Sequence, residues 1–241
     1  MDGVICSIDP LDDSTWDAKV FLTFDVDWAH DDVMADVVEL LLPYSVRSTW
    51  FVTHQSDFLG ELQGNKRIEL GVHPNFNPLL HGDMRMGRNA HEVLDRLLDL
   101  VPGARSVRSH SITQSGYLMG LFESKGLTHE CNSFIPWQTG VALKPWVLPG
   151  GGVRVPYFWE DDVACLYHDA DVGRMGALAV KSGLRVFDFH PIHVFLNTEN
   201  LERYENTRKL HHNPRELIKY RYDGYGTRNR LLELLEKIKQ R

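Results

Sequence analysis

The strongest constraint on this chain is a repeating alternation. Short runs rich in β-branched and aromatic residues are separated by stretches whose apolar residues recur at helical spacing. Residues 19–24 (KVFLTF), 48–53 (STWFVT), 68–73, 105–110, 127–132, 153–159 and 163–168 read as strands, and 185–197 as a long extended run. Helices are expected at 30–42, 58–62, 90–100, 117–125, 174–181 and 228–239. Asp31 and Asp32 suit the positive end of the first, and Val33, Val37, Leu40 and Leu41 form its apolar face. Gly126 and Gly183 stop two others. Residues 133–152 read as loop and 200–226 as polar and irregular.

Buried strands alternating with helices imply an α/β fold with a mainly parallel sheet. No GxGxxG follows the first strand, which argues against dinucleotide binding. A barrel fits the number of strands better. In such barrels the chemistry lies at the C-terminal ends of the strands, so polar residues just past each strand should converge on one site.

Composition narrows the function. The 241 residues are 43% hydrophobic and carry no repeat or linker, so a single domain over 1–241 is expected. A formal charge of −7 disfavours nucleic acid as a partner. No apolar run approaches the ~20 residues of a membrane span. The N-terminus lacks the basic stretch and apolar core of a secretory signal, which predicts a cytoplasmic location. Three cysteines without CxxC spacing make neither a disulfide scaffold nor a cysteine–zinc cluster. Histidine, at 12, is the unusual count.

Strand ends carry the chemistry. Asp25 and Asp27 share a side of an extended segment by period-two alternation. Two such carboxylates repel, and a metal ion could hold one and leave the other as a base. His73 can supply a nitrogen ligand, and Asn77 either a carbonyl oxygen to the same metal or an Asx turn. Arg108 can hold a carboxylate base ionised by paired hydrogen bonds, or make a surface ion pair. His110, on the same face, is a ligand, a substrate contact or a second-tier hydrogen-bond donor. His190 suits a general acid at neutral pH, with Asp188 placed to orient it and His193 nearby. Trp28, Trp137, Trp146 and Trp159 can stack on sugars or fill the core. His30 is a lesser candidate. His81, His91, His129, His168, His211 and His212 read as solvated.

Taken together, Thr23-Phe24-Asp25-x-Asp27, the 48–53 strand, Gly71-x-His73, Arg108-x-His110 and Phe189-His190-Pro191 resemble the polysaccharide deacetylase family. These are the NodB-like carbohydrate esterases, typified by the chitooligosaccharide deacetylase of nodulation. The motifs match in order from about residue 19 to residue 197, and Tyr225-Gly226-Thr227 before a leucine-rich helix resembles the family's ending. The likeness is greatest to the intracellular branch linked to O-antigen and surface-polysaccharide synthesis.

The resemblance implies a distorted (β/α) barrel of about seven strands. It implies a divalent metal ion, zinc by expectation, and hydrolysis of the N-acetyl group of an amino sugar, which could be nucleotide- or lipid-linked. Asp25 maps onto the base, Asp27 and His73 onto metal ligands, Arg108 onto the arginine that fixes the base, and His190 onto the general acid. The family's second motif has two histidines, four residues apart. Here it reads His73-Pro74-Asn75-Phe76-Asn77, leaving Asn77 as the expected third ligand. The third motif's usual proline is His110, expected with His193 and Trp28 to contact substrate, and able to reach the metal instead. Two rival readings keep the barrel: a catalytically silent sugar-binding or assembly protein, and a hydrolase of another small amide.

Overall fold

Val20–Asp25 and Arg185–Phe189, 160 residues apart in sequence, lie side by side in a parallel sheet. The computed structural model describes residues 2–167 and 173–240. Within them the strand segments are β1 (Asp2–Gly3), β2 (Val20–Asp25), β3 (Ser48–Val52), β4 (Ile68–Val72), β5 (Ser106–Val107), β6 (His129–Glu130), β7 (Trp146–Val147), β8 (Val153–Arg154), β9 (Trp159–Glu160) and β10 (Arg185–Phe189). The helices are α1 (Asp31–Leu41), α2 (Leu59–Gly64), α3 (Asn77–Leu80), α4 (Ala90–Leu100), α5 (Gly116–Ser124), α6 (Asp161–Leu166), α7 (Arg174–Ala179), α8 (Pro191–Leu196), α9 (Leu201–Thr207), α10 (Pro214–Leu217) and α11 (Thr227–Lys239).

β2, β3 and β10 are buried along their whole lengths, as continuous apolar runs are when both faces of a parallel sheet are covered. Pairing runs β10–β2–β3–β4–β5–β6–β8, all parallel, with β7 antiparallel on β8. β8 and β9 belong to one stretch of chain. Its start pairs with β6 and its end with β10, so the pairing passes round seven strand positions and returns to β2. This is the distorted barrel that the family resemblance implied, with several of its strands broken into short segments.

The N-terminal segment closes one end of this ring. Ile5, Ile8 and Trp16 are buried. The Ile5 amide donates to Thr49 Oγ1 at 3.0 Å, and His129 Nε2 lies 2.9 Å from the Ile8 carbonyl. Thr49 and His129 stand at the starts of β3 and β6, so the opposite, C-terminal ends are left for a site. His129 is therefore a buried structural histidine rather than a solvated one.

Several elements differ from the sequence reading. Residues 163–167, the described part of the run expected as a strand at 163–168, do not form one. α6 occupies 161–166, with Ala164 and Cys165 buried, and so short an apolar run is ambiguous by periodicity alone. His168 lies outside the described residues. The run 185–197 ends as a strand at Phe189 and continues as α8, whose six residues are all buried. A helix with no polar face has no amphipathic period to read, although Pro191 at its first turn was a usable signal. The segment 200–226 holds α9 and α10, capped by Asn200 and Asn213. α1 is capped by His30, whose Nδ1 accepts from the Asp32 amide, while Asp31 and Asp32 occupy its first turn. Among the described residues, no helix is long and apolar enough to cross a membrane.

Trp159 is fully buried at the point where the ring closes, pairing with Phe187 and with its ring tilted against Phe189 at 4.8 Å. Trp159→Ala is expected to cost about 3–5 kcal/mol in urea unfolding. A loss smaller than about 1 kcal/mol would contradict a closure made there.

Candidate active site

A cavity of ≈ 250 Å³ opens at the C-terminal ends of the strands. Asp25 is the last residue of β2, His73 follows β4, Glu160 ends β9 and His190 follows β10, and all four line it with Asp27 and His110. The polar residues past successive strands do converge.

Beneath the cavity lies Arg108, 1% exposed. Its Nη1 donates to Asp25 Oδ1 at 2.9 Å, to Thr23 Oγ1 at 3.0 Å, and to Asp188 Oδ1. Its guanidinium is sandwiched between the rings of Phe51 at 4.6 Å and Tyr157 at 4.3 Å. Burial disfavours the cation, but Asp188 and Asp25 outweigh it and hold its pKa well above the ordinary value. Asp188 also accepts from Thr23 Oγ1 at 2.6 Å. It therefore orients Arg108, not His190 as its spacing suggested.

Asp27 reaches the cavity by a different route from the expected one. The strand ends at Asp25, and Asp27 (φ 43°) and Trp28 (φ 58°) are left-handed. Each non-glycine residue held so costs on the order of 1–2 kcal/mol. The turn brings Asp27 Oδ1 to 3.2 Å from His73 Nε2 and 3.1 Å from His110 Nδ1. One ligand atom from each of the three lies within 4.8 Å of the others. Donors about 2.0–2.1 Å from a tetrahedral ion stand about 3.4 Å apart, so this group fits a zinc-sized cation. Burial would raise the Asp27 carboxyl, but hydrogen bonds from His110 and His73 hold it well below the usual range. Burial disfavours protonated His73, and the charges of Asp25 and Asp27 overcome this and raise it.

Two other groups have ligand-like spacing, Asp161–His190–His193 and Asp25–Asp188–His190. In the second, Arg108 already supplies the cation for both carboxylates. In the first, His190 Nδ1 lies 2.7 Å from Asp161 Oδ1, and the His190 amide donates to Asp161 Oδ2 at 2.8 Å. With Nδ1 so engaged, His190 Nε2 faces the cavity, 3.7 Å from Asp27 Oδ2. Burial opposes charge on His190, but Asp161 lifts its pKa well above the usual imidazole value.

Asn77 and His193 fall outside the group. The Asn77 amide donates to Ser111 Oγ and accepts from Thr113 Oγ1, both at 3.1 Å. Its oxygen is thus turned to a hydroxyl, and the second imidazole beside Asp27 comes from His110. His193 is buried on α8, with Nδ1 3.1 Å from Thr198 Oγ1 and its ring against Tyr204 at 4.8 Å. It stands behind His190 rather than on the cavity wall. Trp28 meets the His110 ring edge-on at 5.1 Å and lines a neighbouring cavity. Trp137 and Trp159 are core residues, and Trp146 lies on β7, 41% exposed.

The sequence reading missed Asp161 and Glu160. Their signal was the triplet Glu160-Asp161-Asp162 directly after the apolar run 153–159, the same pattern that marked Asp25 and Asp27. Reading a strand at 163–168 hid it, because a helix start is where those acids belong.

The model of the WbmS-like polysaccharide deacetylases matches residues 22–208. A crystal structure from Bordetella bronchiseptica, of a polysaccharide deacetylase described as involved in O-antigen biosynthesis, is 44% identical. The two align over 98% of this chain and 97% of that one, with a TM-score of 0.90. A polysaccharide deacetylase from Mycobacterium smegmatis aligns over 92% of this chain and 90% of its own at 15% identity, with a TM-score of 0.48. No curated protein matches the sequence significantly.

Arg108→Met leaves Asp25 and Asp188 buried without their cation. The variant is expected to lose about 3–5 kcal/mol in chemical denaturation, the cost of breaking a buried pair from one side. A loss of less than about 1 kcal/mol, the value of an exposed pair, would contradict the arrangement.

Proposed function

Given that the chain belongs to the WbmS-like polysaccharide deacetylase family, we propose that it hydrolyses the N-acetyl group of an amino sugar in O-antigen-type surface-polysaccharide synthesis, using one divalent ion, zinc by expectation. The sugar would be carried as a nucleotide- or lipid-linked substrate. The observation that carries the reading is the meeting of Asp27, His73 and His110 beside Asp25 and His190 on one cavity wall.

Asp27, His73 and His110 would hold the ion. A divalent ion there supplies the charge that lowers the pKa of water and polarises an acetyl carbonyl. Asp25 then takes the proton of the attacking water. Arg108 pairs with Asp25 Oδ1 and fixes its orientation, leaving Oδ2 toward His73. His190 delivers a proton from Nε2 to the departing sugar nitrogen. Asp161 holds the tautomer and ring orientation that this requires. The silent sugar-binding alternative drew on the missing second histidine of the family motif, and His110 supplies an imidazole in its stead.

Asp25→Asn is expected to lower acetate release from N-acetylated amino sugars by about 10²–10⁴-fold while the purified variant still binds zinc. His190→Ala should fall in the same range. Near-normal turnover in Asp25→Asn would rule the mechanism out.

A further inference from the structure

The turn that carries His110 is held in a costly conformation. Ser111 (φ 54°) and Ile112 (φ 47°) are consecutive left-handed residues, and for a β-branched isoleucine this is a genuine outlier. Such backbone persists only where its surroundings over-determine it. Here the His110 amide donates to the Pro74 carbonyl at 3.0 Å, and the Ile112 amide to the Ser109 carbonyl at 2.8 Å. Within the turn Thr113 Oγ1 also lies 3.1 Å from the His110 carbonyl, and from outside it one further side chain restrains the pair. Asn77 Nδ2 donates to Ser111 Oγ and Asn77 Oδ1 accepts from Thr113 Oγ1, so a single amide spans the strained pair. Asn77 is itself fixed by its backbone amide, which donates to Asn75 Oδ1 at 3.0 Å.

We infer that Asn77 is a positioning residue that braces the 110–113 turn and thereby aims His110 at Asp27. The inference rests on the reading of His110 as a metal ligand. Without the brace the turn relaxes from its left-handed conformation. The imidazole, which precedes Ser111 directly, then swings from its place 3.1 Å from Asp27 Oδ1. Asn77 acts through hydroxyls and touches no ion. That separates it from a ligand in its own right, because a ligand would not depend on Thr113.

The test is zinc affinity by chelator competition, with the cobalt(II) visible spectrum as a second readout. The proteins are the wild type and the variants His110→Ala, Asn77→Leu, Asn77→Asp and Thr113→Val. Loss of a residue that orients a ligand lowers metal affinity by about 10–100-fold, so Asn77→Leu and Thr113→Val should each fall in that range. The two together should cost less than the sum of the single losses, since they share the Thr113–Asn77 bond and act on one turn. Asn77→Asp should keep the wild-type affinity, because a carboxylate accepts from both hydroxyls. The cobalt spectrum of Asn77→Leu should move toward that of His110→Ala, with circular dichroism of the metal-free variants unchanged. If His110→Ala loses affinity but Asn77→Leu keeps it, the brace is overturned and the ligand reading stands. If Asn77→Leu weakens binding and Thr113→Val does not, the brace is likewise overturned, in favour of Asn77 as a ligand. If His110→Ala binds zinc as the wild type does, the ligand reading fails and the brace with it.

Discussion

One buried guanidinium ties this barrel together. Arg108 stands just past β5 and reaches Thr23 and Asp25 on β2 and Asp188 on β10. Its faces are covered by Phe51 of β3 and Tyr157 of the closing run, and its Nε lies 3.4 Å from the Cys131 carbonyl beyond β6. A charge so fully removed from water is tolerable only because two carboxylates and two aromatic faces surround it. The same contacts that make it tolerable fix Asp25. Structural necessity and the placing of the proposed base thus come from one residue.

The C-terminal end of the barrel, where the candidate site lies, is built under backbone strain. Asp27, Trp28, Ser111 and Ile112 are all left-handed without being glycine. They fall in two turns, each delivering one member of the Asp27–His73–His110 group. His73 needs no such turn, because it continues β4 and its amide donates to the Val52 carbonyl at 2.8 Å. A rigid strand end supplies one donor and two strained loops bring the others to it. Strain of this kind belongs where geometry matters more than local stability.

Much of this was legible in the sequence, for a definite reason. Buried parallel strands announce themselves as unbroken apolar runs, and a polar residue directly after such a run has few structural explanations. Asp25, Asp27, His73, Arg108, His110 and His190 were all found by that rule, and the structure gathers them at one end of the barrel. The rule fails where side chains are set by turns. Asn77 has the right spacing for the site, but its amide is captured by two hydroxyls more than thirty residues away. Asp188 and His190 do come close, but the Asp188 carboxylate is taken by Arg108 and Thr23 while His190 Nδ1 is taken by Asp161, and spacing alone does not show which partner wins. Asp161 went unseen because its helix was read as a strand. Wholly buried α8 has no polar face to reveal it.

The central claim is that Asp27, His73 and His110 form the metal centre. The most direct measurement is anomalous diffraction at the zinc absorption edge from crystals equilibrated with zinc. The account expects one strong peak bonded to Asp27, His73 and His110, next to Asp25 and clear of Arg108. A peak held instead by Asp161, His190 and His193, or no ordered zinc at the C-terminal end of the barrel, would contradict it.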